Sequence, residues 1–125
     1  MNMQRRTQWA AALLCVLISA ELSAHAVLVK AVPGQDAVLD KSPPTVSVWF
    51  NEALEAAFSS LAVEDSRGQV VAQGALASLP DNGLSLRLPA PLAAGSYRLH
   101  YRVLSVDGHI VEGSSPFVIG EPGAR

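Results

Sequence analysis

Tyr97-Arg98-Leu99-His100-Tyr101-Arg102-Val103 sets Tyr97, Leu99, Tyr101 and Val103 on one side of an extended chain and Arg98, His100 and Arg102 on the other. A period of two marks a strand with one buried face, because successive Cβ atoms point to opposite sides of a sheet. The same alternation recurs outward along the chain. Val46, Val48 and Phe50 alternate with Ser47, Trp49 and Asn51; Leu61 and Val63 follow; Leu84, Leu86 and Leu88 alternate with Ser85 and Arg87. A closing segment runs from Pro116 through Ile119, where the proline predicts an edge or a strand start because it has no N–H to give to a ladder. No stretch sustains a 3.6-residue period long enough for a helix.

Between these segments stand Pro33-Gly34, Pro43-Pro44, Ser66-Arg67-Gly68, Pro80-Asp81-Asn82-Gly83 and Ala93-Ala94-Gly95, each supplying a fixed or permissive φ for a turn. Adding Ala26 to Ala31 and Gln69 to Ala72 gives about seven strands, the spacing of an all-β, two-sheet sandwich with Greek-key links. The 125 residues, 50% hydrophobic and 16% charged, suffice for one core and one domain. Nine Lys and Arg against eleven Asp and Glu leave no cationic field for nucleic acid or an anionic membrane surface. A single cysteine excludes a disulfide framework and a multi-thiolate zinc site.

Residues 1–24 read as a cleaved secretory signal. Arg5 and Arg6 form a positive start, Trp9 to Ala20 an apolar run, and Glu21-Leu22-Ser23-Ala24 a short polar exit. The run falls short of the roughly 18 apolar residues of a membrane span, so no span is expected after cleavage and the domain occupies 25–125. Cys15, Met1 and Met3 leave with the signal, and the mature chain then has neither sulfur-bearing residue. Two cuts compete. Cleavage after Ala24 starts the chain at His25, whereas cleavage after Ala26 has the better small-x-small pattern and discards that histidine. From His25 onward seven Lys and Arg face ten Asp and Glu, a formal charge of −3.

The three histidines, His25, His100 and His109, limit any acid–base or transition-metal proposal. There is no phosphate-cradling glycine motif, no serine elbow and no mature thiol, so hydrolase mechanisms have little support. As a first residue, His25 offers an α-amine with pKa near 8 and an imidazole, which together form a chelate; the alternative is a frayed, solvated terminus. In Ser105-Val106-Asp107-Gly108-His109, the Asp and His project to the same side if the backbone is extended. Asp-Gly is equally a tight-turn dipeptide in which His109 is only a polar turn residue. The two readings coexist if Gly108 bends the chain while both side chains stay near one point.

An amine, two imidazoles and a carboxylate suit Cu(II), with zinc as competitor; Cu(I) prefers thiolates or thioethers. Glu52, at the end of a predicted strand, is placed to approach such a site, and Glu55 reads as solvated surface. His100 lies on the Arg98 and Arg102 face of its strand, where positive charge discourages a bound cation, and reads as exposed and structural.

His25-Ala26-Val27-Leu28 after the signal, the Pro33-Gly34 turn, the strand Val46 to Glu52 ending Phe50-Asn51-Glu52, Gly95-Ser96-Tyr97, and Tyr101 through His109 resemble the CopC family of periplasmic copper-resistance proteins. The likeness spans residues 25 to 120. It implies an immunoglobulin-like β-sandwich that is not an enzyme, a monomeric periplasmic carrier or buffer in copper homeostasis or resistance. It also implies one Cu(II) per chain, held by the His25 amine and imidazole, the His109 imidazole and the Asp107 carboxylate, with Glu52 as a ligand or just outside the ligands. The partner it implies is an inner-membrane copper importer of the CopD type. Without mature methionine, the chain resembles the Cu(II)-only members. It departs from the family in Tyr101, where tryptophan is common, and in Pro116; neither touches the implied ligands.

Two other function classes fit parts of the sequence. An N-terminal histidine plus a second histidine also resembles the copper brace of lytic polysaccharide monooxygenases, but Asp107 would fill the position that oxygen activation needs open. A metal-free sandwich serving as an interaction module would leave His25 dispensable.

Overall fold

The alternating segments pair into two sheets in the computed structural model, which describes residues 25–120. The signal read at 1–24 lies outside the described residues. One sheet runs, in spatial order, β1 (Leu28–Val32), β3 (Thr45–Phe50), β7 (Gly83–Arg87) and β6 (Leu76–Leu79), all antiparallel. The other runs β2 (Ala37–Leu39), β9 (Ile110–Ile119), β8 (Gly95–Leu104), β4 (Ser60–Asp65) and β5 (Val70–Gln73). Within it only the β2 and β9 pair is parallel. A 3₁₀ turn at Ala56–Phe58 is the sole helical element among the described residues, and no helix there is long and apolar enough to cross a membrane.

The inner faces are those the alternation marks. Val46, Val48 and Phe50 of β3 and Leu84 and Leu86 of β7 meet Leu61 and Val63 of β4, Leu99 and Val103 of β8, and Phe117 and Ile119 of β9, all buried. Each such side chain stabilises the fold by about 1.5–3 kcal/mol in transfer free energy. Tyr97 and Tyr101 close the edge of this core, Tyr97 stacked on Phe117 at 5.7 Å and Tyr101 edge-on to Phe50 at 5.3 Å between centroids. Trp49 faces outward beneath Lys30, whose Nζ lies 4.9 Å from the ring centroid.

Seven strands match the expectation, and β2 and β6 are additional. β2 has three residues, too few for an alternation to register, and Leu76-Ala77-Ser78-Leu79 of β6 is half-buried only at its two ends, so it shows no period of two. Both are edge strands held by one neighbour's backbone groups. Pro116 is not a strand start: β9 begins at Ile110, and Pro116 stands inside it opposite Arg98. Nor does it stand on an edge, since β9 lies between β2 and β8. The Pro116 carbonyl accepts the Asp36 N–H at 2.7 Å, so its backbone groups face away from β8 and the missing N–H breaks no bond of the β8 and β9 ladder.

The β8 and β9 hairpin, ten residues a side, is the longest in the fold. Its tip, residues 105–109, lies at the same end of the sandwich as the first described residue, because β1 enters opposite the C-terminal end of β3, with Leu28 facing Phe50.

Candidate metal centre

The ladder of β8 and β9 ends at Leu104 and Ile110, and the chain reverses over Val106-Asp107-Gly108. The Ser105 N–H donates to the His109 carbonyl at 2.9 Å, and the Gly108 N–H donates to the Ser105 carbonyl at 2.9 Å. Gly108 takes φ 94°. This is a three-residue hairpin loop whose last residue needs the left-handed region, the position glycine fills without strain.

The tight-turn reading of Asp-Gly is therefore right about the backbone, and the extended arrangement is corrected. Asp107 and His109 still converge, through the turn: Asp107 Oδ1 lies 3.1 Å from His109 Nδ1. The buried Ser105 hydroxyl donates to the same Oδ1 and accepts the His109 N–H at 3.3 Å. The Ser105 hydroxyl first, and the His109 imidazole second, hold the Asp107 carboxyl below the ordinary aspartate range.

His25 arrives from the opposite sheet. Ala26 is buried in the core, and Val27 is tied to Asn51 by two bonds: its N–H donates to Asn51 Oδ1 at 2.7 Å, and its carbonyl accepts the Asn51 N–H at 3.1 Å. The His25 ring then stands edge-on to His109, centroids 4.7 Å apart and planes at 85°. The 51–55 segment also binds the hairpin, with the Val106 N–H donating to the Ala53 carbonyl at 3.0 Å and the Glu55 N–H to the Leu104 carbonyl at 2.8 Å. Three pieces of chain meet here: 25–27, 51–55 and 104–109.

The structure thus brings His25, Asp107 and His109 together. Glu52 is half-buried on the segment between them. Glu55 is exposed, as expected. His100 lies away from the cluster on the outer face of the second sheet. It is half-buried rather than exposed, since Nε2 pairs with Glu112 Oε2 at 2.9 Å across the β8 and β9 ladder. Sequence reasoning missed that partner because it depends on the register.

Among the described residues, no group of three or more His, Cys, Asp or Glu is arranged to hold a metal ion by side chains alone. Two imidazoles and one carboxylate are nevertheless the donor chemistry of a nitrogen-rich divalent site, and the fourth expected donor is a main-chain nitrogen. Asn51 and Ser105, which set the positions of these groups, stand within motifs read from the sequence but were given no role there. Neither carries a signal of its own, since Asn51 reads as one more outward residue of a strand end.

Fold and site define a class: a small two-sheet β domain with a histidine and aspartate cluster where its first strand meets its longest hairpin. Residues 28–120 match the CopC domain model, and the chain belongs to that family, as its sequence motifs implied. It is 34% identical over 122 residues to the copper transport protein CutJ of Bacillus subtilis (strain 168), an alignment covering 95% of this chain but 23% of that protein. This chain therefore spans less than a quarter of that relative. Copper resistance protein C of Xanthomonas campestris pv. juglandis is 33% identical over 110 residues, covering 82% of this chain and 86% of that protein. The crystal structure of CopC from Methylosinus trichosporium OB3b superposes with a TM-score of 0.72 at 38% identity, over 78% of this chain and 95% of that one. The β-sandwich expected from the alternation is the fold of this family.

Proposed function

We propose that this chain is a copper-resistance protein of the periplasm that carries or buffers copper, holding one Cu(II) once residues 1–24 have been removed. The observation that carries the reading is the approach of the His25 and His109 rings to 4.7 Å, with Asp107 on His109 Nδ1. While residues 1–24 are attached, the His25 nitrogen is an amide. Cleavage after Ala24 turns it into an amine with pKa near 8, which gives up its proton to a metal readily.

The donors are then the His25 amine and imidazole, the His109 imidazole and the Asp107 carboxylate, with Glu52 just outside them. No Cys or Met occurs after residue 24, so the set lacks the soft sulfur that Cu(I) prefers. An anionic carboxylate among the donors favours the oxidised ion and fills a position that oxygen chemistry would need, which supports cargo binding rather than catalysis. The names of the relatives, copper resistance and copper transport, support copper over zinc. Onward delivery by a monomer to an inner-membrane importer of the CopD type rests on the family resemblance alone.

Native mass spectrometry of protein recovered after export, with one equivalent of Cu(II), tests this directly. The expected mass begins at His25 and retains one copper. His109→Ala should weaken Cu(II) binding by more than about a hundredfold, beyond the ~10–100-fold that losing a supporting group costs, while His100→Ala leaves it unchanged. A mass beginning at Val27, or equal affinity for wild type and His109→Ala, would overturn the reading.

A further inference from the structure

A first residue has nothing upstream to hold it, and chain ends fray unless tied down. After cleavage His25 would be such a residue, yet a chelating terminus is useful only if it sits where the second histidine can complete the set. Two features hold it there. The Ala26 methyl is packed into the core, and Val27 is bound on both its N–H and its carbonyl by Asn51.

Asn51 is itself fixed from behind. Phe50 is buried, its N–H donates to the Asn82 carbonyl at 3.1 Å, and its carbonyl accepts from Asn82 Nδ2 at 3.4 Å. The regular β1 and β3 ladder shifts register between Leu28 and Lys30 and ends with Leu28 opposite Phe50. Beyond that point the Asn51 side chain supplies the acceptor that a continued ladder would have supplied from the backbone. We infer that Asn51 is a positioning residue for the metal site, its amide oxygen clamping Val27 so that His25 is held against His109 before any metal arrives.

This inference deepens the copper reading and rests on it. The chemistry needs a short, rigid side chain with an oxygen acceptor: aspartate keeps the acceptor, leucine keeps the shape without it, and alanine keeps neither. An affinity that depends on a competent conformer is reduced by the fraction of time that conformer is populated. Loss of one neutral hydrogen bond should therefore weaken binding about three- to tenfold.

The experiment uses the exported mature protein and its Asn51→Leu, Asn51→Ala and Asn51→Asp variants. Cu(II) affinity is measured by chelator competition, and hydrogen exchange at the Val27 amide is measured without metal. Leucine and alanine should weaken Cu(II) binding about three- to tenfold and speed Val27 exchange. Aspartate should restore slow exchange and most of the affinity, a rescue that a merely structural role would not give. Unchanged affinity in Asn51→Leu and Asn51→Ala, or a Val27 amide exchanging as fast in wild type as in them, overturns the inference. If instead wild type and His109→Ala bind Cu(II) equally, the copper reading fails. The metal-free exchange then still reports whether the clamp exists.

Discussion

Replacing Gly108 by alanine separates the backbone of the 105–109 loop from its donors. Nothing lies within 4 Å of where a Cβ would stand, so the new methyl meets no clash. Its cost is conformational: at φ 94° a residue with a side chain is disfavoured by about 1–2 kcal/mol. The loop can keep its shape, retaining the Gly108 to Ser105 and Ser105 to His109 bonds, and the cost then appears as lost stability of the metal-free protein. Alternatively the loop relaxes, Asp107 and His109 separate, and on the proposed copper reading the cost appears as weaker Cu(II) binding, tenfold for each ~1.4 kcal/mol. The two losses should sum to about 1–2 kcal/mol, the strain carried by the bound loop. Urea unfolding of the metal-free protein and chelator competition for Cu(II), run in parallel, measure both parts. Asparagine enters the left-handed region more readily and should recover part of the loss. An alanine variant as stable as wild type and binding Cu(II) as tightly would refute the argument that this loop requires its glycine.

Gly113 answers to sterics instead, since a Cβ there would fall within the Tyr101 phenol, which lies across the strand from it. Gly113→Ala should lose about 1–3 kcal/mol to overpacking, offset by ~0.4–1 kcal/mol from a less flexible unfolded chain, and most of the loss should vanish in a Tyr101→Leu background on urea unfolding. Asp65 accepts the Arg67 and Gln69 N–H groups in the β4 and β5 turn, at 2.9 and 3.0 Å, and these bonds, the Gln69 one foremost, lower its pKa from the ordinary 3.8. A carboxyl depressed on folding contributes stability above its ordinary pKa and loses it as pH falls through the lowered value. Asp65→Asn should therefore be less stable than wild type at neutral pH, with the gap closing below pH 3.8 in unfolding curves taken down the acid limb.

What the sequence disclosed follows from how each feature is encoded. Strands β3, β7 and β8 are legible because one face of each is buried, which writes a period of two into consecutive residues. Strands β2 and β6 are written mainly in their neighbours' hydrogen bonds, and a single strand carries no trace of that. Asp107 and His109 were visible as a motif, but the turn that joins them was decided by the φ of Gly108. The Glu112 partner of His100 lies 12 residues away and is placed by register alone.

The same distinction explains why the groups that hold the cluster were harder to find than the cluster. His25 and His109 lie 84 positions apart in sequence, and no local pattern relates them. Their approach is set by the 51–55 segment, which binds Val27 through Asn51 and the hairpin through Ala53 and Glu55. Two of those residues act through backbone atoms, so their side chains need carry no mark of the task. Asn51 is the exception, since its amide oxygen substitutes for a ladder bond at the point where the regular pairing of β1 and β3 stops. The spacing of the two imidazoles is therefore a property of the sandwich edge. Changes in the connecting segment should alter it without touching either histidine.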